Sequence, residues 1–269
     1  MVDIFLHTIA LEPARWTPQR VSRPLAEILP AIARAGFRQL EVFEPHLTLA
    51  PDEAALPAVF SSLGLEPVML SSYMNVNPAV TADAAFERDA QALEARVRRF
   101  GFRKIRLFPG PGVLPTDEPL IATVQARLAA LARRLPEVEF LLESHDGSIA
   151  DAPERLVRLV RDLALPNVAI LFQPTVFEAQ PALRQVECQA PWVRHLHLQN
   201  RAANDKSRFV RLAEGGVSWK EIVAKLHAHG AQVSATLEFV PSAICPVEAF
   251  DLERSLAEAV EEVKVFQSL

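Results

Sequence analysis

Hydrophobic positions along this chain change period again and again. Short runs with strand-like alternation or continuous apolar character cover 2–9, 37–43, 66–72, 102–108, 137–144, 167–173, 193–199 and 232–240. Between them, apolar residues recur at the three-to-four spacing of a helix over 23–35, 51–63, 81–100, 116–134, 151–164, 180–190, 218–229 and 246–267. Glycines mark several predicted helix ends, at Ala35-Gly36, Leu63-Gly64, Phe100-Gly101 and His229-Gly230, where a left-handed residue is wanted. Entry signals agree: Asp151 stands ahead of Pro153 and Glu154, and Ser218 stands three residues before Glu221, a capping-box spacing. Strand and helix thus alternate eight times, about 34 residues to the unit. That pattern predicts an α/β chain folded as a single (β/α)8 TIM barrel, one domain over residues 1–269. A doubly wound open sheet usually carries a glycine-rich turn after its first strand, and this chain has none.

Composition narrows the field. A chain of 269 residues can bury about three quarters of its unfolded surface and needs no disulfide or structural metal to fold. No apolar run approaches the ~20 residues of a membrane helix, and the opening MVDIFLHTIAL lacks the basic start of a signal peptide. The net charge of −5 argues against a nucleic-acid partner. Arginine supplies 23 of the 28 basic residues, but it is scattered over helical segments as on solvated faces. Cys188 and Cys245 lie far apart with no CxxC spacing, which fits packing roles in a reduced, cytoplasmic compartment.

Chemistry in a barrel of this kind gathers at the C-terminal ends of the strands, on inward side chains, and inward positions follow a period of two. On the seventh predicted strand His195, His197 and Gln199 share a face opposite Leu196 and Leu198. On the eighth, Ser234, Thr236 and Glu238 oppose Val233, Ala235, Leu237 and Phe239. On the fifth, Leu141, Glu143 and His145 align, and on the sixth Ala169, Leu171 and Gln173. Two carboxylates in one desolvated mouth repel, so one must hold a proton unless a cation lies between them. Two carboxylates and a neutral imidazole suit one divalent ion, Mn²⁺, Co²⁺, Zn²⁺ or Mg²⁺, with positions left for water and substrate.

Several segments, taken together and in order, resemble the xylose isomerase-like TIM-barrel superfamily of sugar isomerases and epimerases. They are Gly36-Phe37 to Glu41-Val42-Phe43, Glu143-Ser-His145-Asp-Gly147, His197-Leu-Gln-Asn-Arg201, Gly216-Val-Ser-Trp219 and Leu237-Glu238. The resemblance implies one divalent metal held by residues ending strands five to eight, which here are Glu143, Gln173, His197 and Glu238. Gln173-Pro174-Thr175-Val176 departs from the family's Asp-Pro-Gly-His: Gln173 offers an oxygen without charge, so a weakened site is expected. The implied activity is metal-assisted proton transfer by Glu143 and Glu238 next to a carbonyl of a sugar, sugar phosphate or keto-sugar, hence isomerisation or epimerisation. A lyase or dehydratase acting on a keto-sugar or cyclic keto acid uses the same first step and stays open. So does a non-catalytic sugar-binding barrel with a degenerate metal site, for which Gln173 is the best argument.

Expected substrate contacts are His145, Arg201, His7 and Tyr73, with Ser72 beside the last. His195, one step deeper than His197, reads as a supporting residue. An inward Arg106 paired with Glu41 at mid-barrel reads as structural. Glu44 and His46 read as solvated loop residues at the pocket rim, and His227 and His229 as solvent-facing. The Pro109-Gly110-Pro111-Gly112 loop lacks the Lys and Ser/Thr of a phosphate loop. The expected partner is a small carbohydrate, with neither nucleic acid nor membrane, and the resemblance implies homo-oligomerisation.

Overall fold

A computed structural model of the chain describes residues 2–17, 19–113, 116–144 and 147–269. Its strands are β1 (Ile4–His7), β2 (Gln39–Phe43), β3 (Glu66–Ser71), β4 (Lys104–Leu107), β5 (Glu139–Glu143), β6 (Val168–Phe172), β7 (Val193–Leu198), β8 (Asn200–Ala202), β9 (Asp205–Val210) and β10 (Ser234–Leu237). Eight of them close a parallel barrel in the order β1-β10-β7-β6-β5-β4-β3-β2. The remaining pair, β8 and β9, forms a two-stranded antiparallel ribbon. Around the barrel run α1 (Leu25–Arg34), α2 (Glu44–Thr48), α3 (Leu56–Ser62), α4 (Asp83–Phe100), α5 (Glu118–Arg134), α6 (Pro153–Leu163), α7 (Ala179–Gln189), α8 (Trp219–Ala228) and α9 (Leu252–Gln267). The predicted (β/α)8 barrel is the observed fold, and every predicted strand is present, shorter by a residue or more in each case.

Some short elements were not legible. Five residues after β2 wind into α2, and the run after β7 turns back as the β8–β9 ribbon. Both lie in loops that follow the C-terminal ends of barrel strands, where short polar segments carry little periodicity.

Local chemistry sets the helix ends. Side chains of Asp117, Ser218 and Asp251 accept the third backbone N–H of α5, α8 and α9 at 3.3, 3.4 and 3.1 Å. Gly101 closes α4 at φ 72°, a conformation that a side chain resists. Gly216 is required for space instead: a Cβ there would stand 1.8 Å from the Phe177 carbonyl oxygen.

Each barrel strand divides its side chains as the alternation predicts. Outward residues such as Leu40, Val42, Ile105, Leu107, Leu196, Leu198, Ala235 and Leu237 join the helices in one continuous apolar core. Inside the barrel, Met69, Leu141, Ala169 and Leu171 form a separate apolar plug on the β3–β6 side. The other side of the interior is polar, with His7, Glu41, His195, His197 and Thr236 all fully buried. No helix among the described residues is long and apolar enough to cross a membrane.

Candidate metal centre and active site

The polar half of the barrel leads up to a cluster at the strand ends. Glu143 closes β5, Gln173 follows β6, His197 lies near the end of β7 and Glu238 follows β10. Their side chains meet around one ring nitrogen. His197 Nδ1 lies 3.3 Å from Gln173 Oε1, 3.5 Å from Glu238 Oε1 and 3.9 Å from Glu143 Oε2. One donor atom from each of Glu143, His197 and Glu238 falls within 4.8 Å of the others. Such separations suit atoms that share an ion at about 2.0–2.2 Å. Glu143 Oε2 is buried without a hydrogen bond, although Arg106 Nε approaches it to 3.2 Å. A buried carboxylate oxygen with an ion pair to Arg106 but no hydrogen bond, set where two further oxygens and a nitrogen converge, keeps lone pairs that a cation could take.

The electrostatics agree with that geometry. Burial, together with the nearby Glu238 and Glu41 carboxylates, pushes the Glu143 carboxyl up to about 7 against the pull of Arg106 and His197. Burial disfavours a charged His197, yet Glu41 and Glu238 outweigh it and hold that imidazole well above its ordinary value. For Glu41 burial again acts upward, and His197 and His7 overcome it, so the carboxyl stays well below the usual range. Burial depresses both His7 and His195, which favours their neutral forms.

Each glutamate is held by a different neighbour. Gln199 Nε2 donates to Glu238 Oε2 at 2.8 Å, and Arg201 Nε donates to Gln199 Oε1 at 3.2 Å. Arg201 reaches there from the β8–β9 ribbon, its guanidinium 4.9 Å from the Phe177 ring centre and 4.4 Å from that of Phe209. The Arg106 guanidinium, 4.1 Å from the Phe108 ring centre and 4.8 Å from that of Tyr73, stands against Glu143. Gln173 is steadied through its backbone: Gln185 of α7 donates to the Gln173 carbonyl at 2.8 Å.

The structure corrects several expectations. Arg106 faces Glu143 rather than Glu41, because β4 lies next to β5 and two strands from β2. His7, expected at the substrate, is fully buried: its Nδ1 accepts the Ile9 N–H at 3.1 Å and its Nε2 faces Glu41 at 3.2 Å. Ser72 is buried too, donating to Glu44 at 3.2 Å. His46 is no solvated loop residue, since its ring nitrogens contact Thr8 at 2.9 Å and Glu12 at 3.1 Å. Glu44 accepts from the Tyr73 N–H at 2.5 Å and from Arg96 at 3.3 Å. His195 lies between the Ser234 and Thr236 hydroxyls, 2.7 Å from each, and has no ring nitrogen to spare. Tyr73 is partly exposed at the rim, whereas His145 lies outside the described residues. The residue whose place in the cluster sequence reasoning missed is Glu41. Its inward phase on β2 was readable, but its partners come from strands far away in the chain.

The chain belongs to the xylose isomerase-like TIM barrel family, whose model matches residues 29–268. Among solved structures it is similar to the IOLI protein with a bound zinc atom, at 13% identity over 100% of this chain and 99% of that one, with a TM-score of 0.74. It is also similar to the probable 3-DHS dehydratase AsbF of Bacillus anthracis, at 17% identity over 96% and 98% of the two chains and a TM-score of 0.67. A xylose isomerase-like TIM barrel protein of Mycobacterium smegmatis in complex with magnesium matches at 14% identity over 98% of each chain, with a TM-score of 0.67. At these identities the likeness is one of fold. No curated protein matches the chain significantly.

Proposed function

We propose that this chain is a divalent-metal-dependent enzyme that moves a proton next to the carbonyl of a keto-sugar, as an isomerase or epimerase. The observation that carries the reading is the convergence of Glu143, Gln173 and Glu238 on His197 Nδ1, with one Glu143 oxygen that has no hydrogen bond. These four residues would hold the ion, and when bound it supplies polarisation of the substrate's carbonyl and hydroxyl oxygens. That zinc and magnesium are found in proteins of similar fold supports a divalent ion here. Gln173 brings no charge, so the donor set carries two negative charges from Glu143 and Glu238.

The protein's own groups then divide the work. Burial and the neighbouring carboxylates raise the Glu143 carboxyl, which makes its ionised form a stronger base than an exposed glutamate. Ionised, Glu143 Oε2 removes the proton from the carbon beside the carbonyl, and Arg106 steadies the charge it carries before the transfer. Glu238 approaches from a different wall, separated from Glu143 by β6 and β7. Gln199 occupies Glu238 Oε2, which leaves Oε1 to relay a proton from water to the second position, while the proton taken up by Glu143 returns to water. Tyr73 at the rim and Arg201 on the ribbon contact the substrate's outer part, and the whole chain works as one domain around this mouth.

The test has two stages. Protein loaded with Mn²⁺, Co²⁺, Zn²⁺ or Mg²⁺ and desalted should retain one equivalent of ion by mass spectrometry, and a Glu238→Ala variant should lose it. Keto-sugars incubated with the loaded enzyme in D₂O should then gain deuterium, stop doing so on chelation, and exchange about 10²–10⁴-fold more slowly with Glu143→Gln or Glu238→Gln. Undiminished exchange in either variant would refute the two-glutamate mechanism. Loss of water without exchange into recovered substrate would make the enzyme a dehydratase. An ion-loaded protein that catalyses neither reaction would be a binding barrel.

A further inference from the structure

Behind the donor set lies a second group of close ligand-type atoms, on His7, Glu41 and His197, all fully buried. Its hydrogen-bonding logic runs in one direction. A backbone N–H can only donate, so the Ile9 N–H, 3.1 Å from His7 Nδ1, makes that nitrogen an acceptor. A neutral His7 must then carry its proton on Nε2, which faces Glu41 Oε1 at 3.2 Å. That leaves His7 no lone pair for an ion, and the group is a proton-ordering chain rather than a second metal site. Glu41, a carboxylate, only accepts. His197 Nε2, 3.1 and 3.0 Å from its two oxygens, therefore donates.

From this we infer that Glu41 is a positioning residue, fixing His197 as the tautomer whose Nδ1 lone pair faces Glu143, Gln173 and Glu238. The inference rests on the metal-site reading above and adds the group that makes His197 competent in it. A carboxylate behind a ligating imidazole both orients the ring and raises its basicity. The Ile9 amide anchors the chain of donors at one end, and the donor set terminates it at the other.

Glu41→Gln makes the logic testable. His7 stays locked as a donor by Ile9, so the new amide must turn its oxygen to His7 and its NH₂ to His197. His197 Nε2 then has to accept, and the ring proton moves to Nδ1, into the space where the ion would bind. Zinc affinity should fall about 10–100-fold, the usual effect of losing such a partner. The readout specific to tautomer is ¹⁵N–¹H NMR of protein labelled at histidine, with the His197 signals assigned by their loss in His197→Gln. Zinc-loaded wild-type protein should show the His197 proton on Nε2, and Glu41→Gln should show it on Nδ1.

A wild-type, zinc-loaded His197 protonated on Nδ1 would overturn the inference. So would a Glu41→Gln variant with unchanged zinc affinity and an Nε2 proton. If Glu41→Gln does not fold, the wild-type spectrum decides alone. If wild-type protein takes up no zinc, the metal-site reading falls. The role of Glu41 is then decided in metal-free protein, at a pH where the His197 ring holds one proton: Nε2 supports it, Nδ1 overturns it.

Discussion

The two halves of the barrel interior are equally dry and are built on opposite principles. On the β3–β6 side, Met69, Leu141, Ala169 and Leu171 fill space with apolar atoms and need only the right total volume. On the other side, His7, Glu41, His195, His197 and Thr236 are just as inaccessible, but their polar atoms face particular partners, and only His7 Nε2 among these approaches its partner, Glu41, without a hydrogen bond. A low-dielectric interior strengthens satisfied polar contacts and makes unsatisfied ones expensive, so the polar half defines a geometry where the apolar half supplies bulk. The candidate site sits over both, with Glu143 and Gln173 following the plug strands β5 and β6, and Glu238 following β10 beside His197, the top of the network.

The largest effect should come from breaking the network at its centre. Glu41→Ala removes the fully buried one of the two carboxylates that balance a charged His197, and a stability loss approaching about 3–5 kcal/mol is expected in chemical denaturation of the metal-free protein. A loss no greater than that of an apolar trim would erase the contrast between the halves. Next is Gln173→Asp, which adds a charge to the donor set. A unit charge at ~4 Å is worth about 4 kcal/mol at an effective dielectric near 20, part of it offset by desolvation, so zinc binding should tighten at least ~10-fold in competition titrations.

A smaller effect is the pH dependence of metal binding. The ion needs Glu143 ionised, and its carboxyl is raised to about 7 by burial and by neighbouring carboxylates. Below that pH, affinity should therefore fall about tenfold per unit from this proton alone, and Glu143→Gln should remove its contribution. Stability of the metal-free fold runs the other way. A carboxyl raised in the folded state contributes stability fully present below its ordinary value of 4.5 and lost as pH rises through about 7. Denaturation midpoints of wild type against Glu143→Gln across pH 4–8 check the sign. The smallest effect belongs to the plug: Leu171→Met should cost less than ~1.5 kcal/mol and leave zinc affinity unchanged.

Much of this was legible in the sequence. The switching hydrophobic period marks all eight barrel strands, and alternation within β7 separates His195 and His197 from Leu196 and Leu198 as the structure does. Glu143 and Glu238 are recognisable as inward, competing carboxylates. His46 was misread because a histidine in a short polar stretch looks solvated, and only the close approach of Thr8 and Glu12 buries it. Arg106 was assigned the wrong glutamate for a related reason. A period of two tells which face a side chain takes, and does not say which inward neighbour it meets.

That choice belongs to the closed barrel. In register, Glu143 stands level with Leu171, and Leu171 with His195. Yet the Glu143 side chain approaches His197, two residues further along β7, because tilted strands bring different heights together across the mouth. The same closure sets β1 between β10 and β2, so that His7 and Glu41 become register partners and Glu41 meets His197 across 156 residues of chain. By itself, then, the sequence determined which residues turn inward and what chemistry they bring, since strand alternation is a local property. Tilt and closure, which are properties of the whole sheet, decided which of those residues touch.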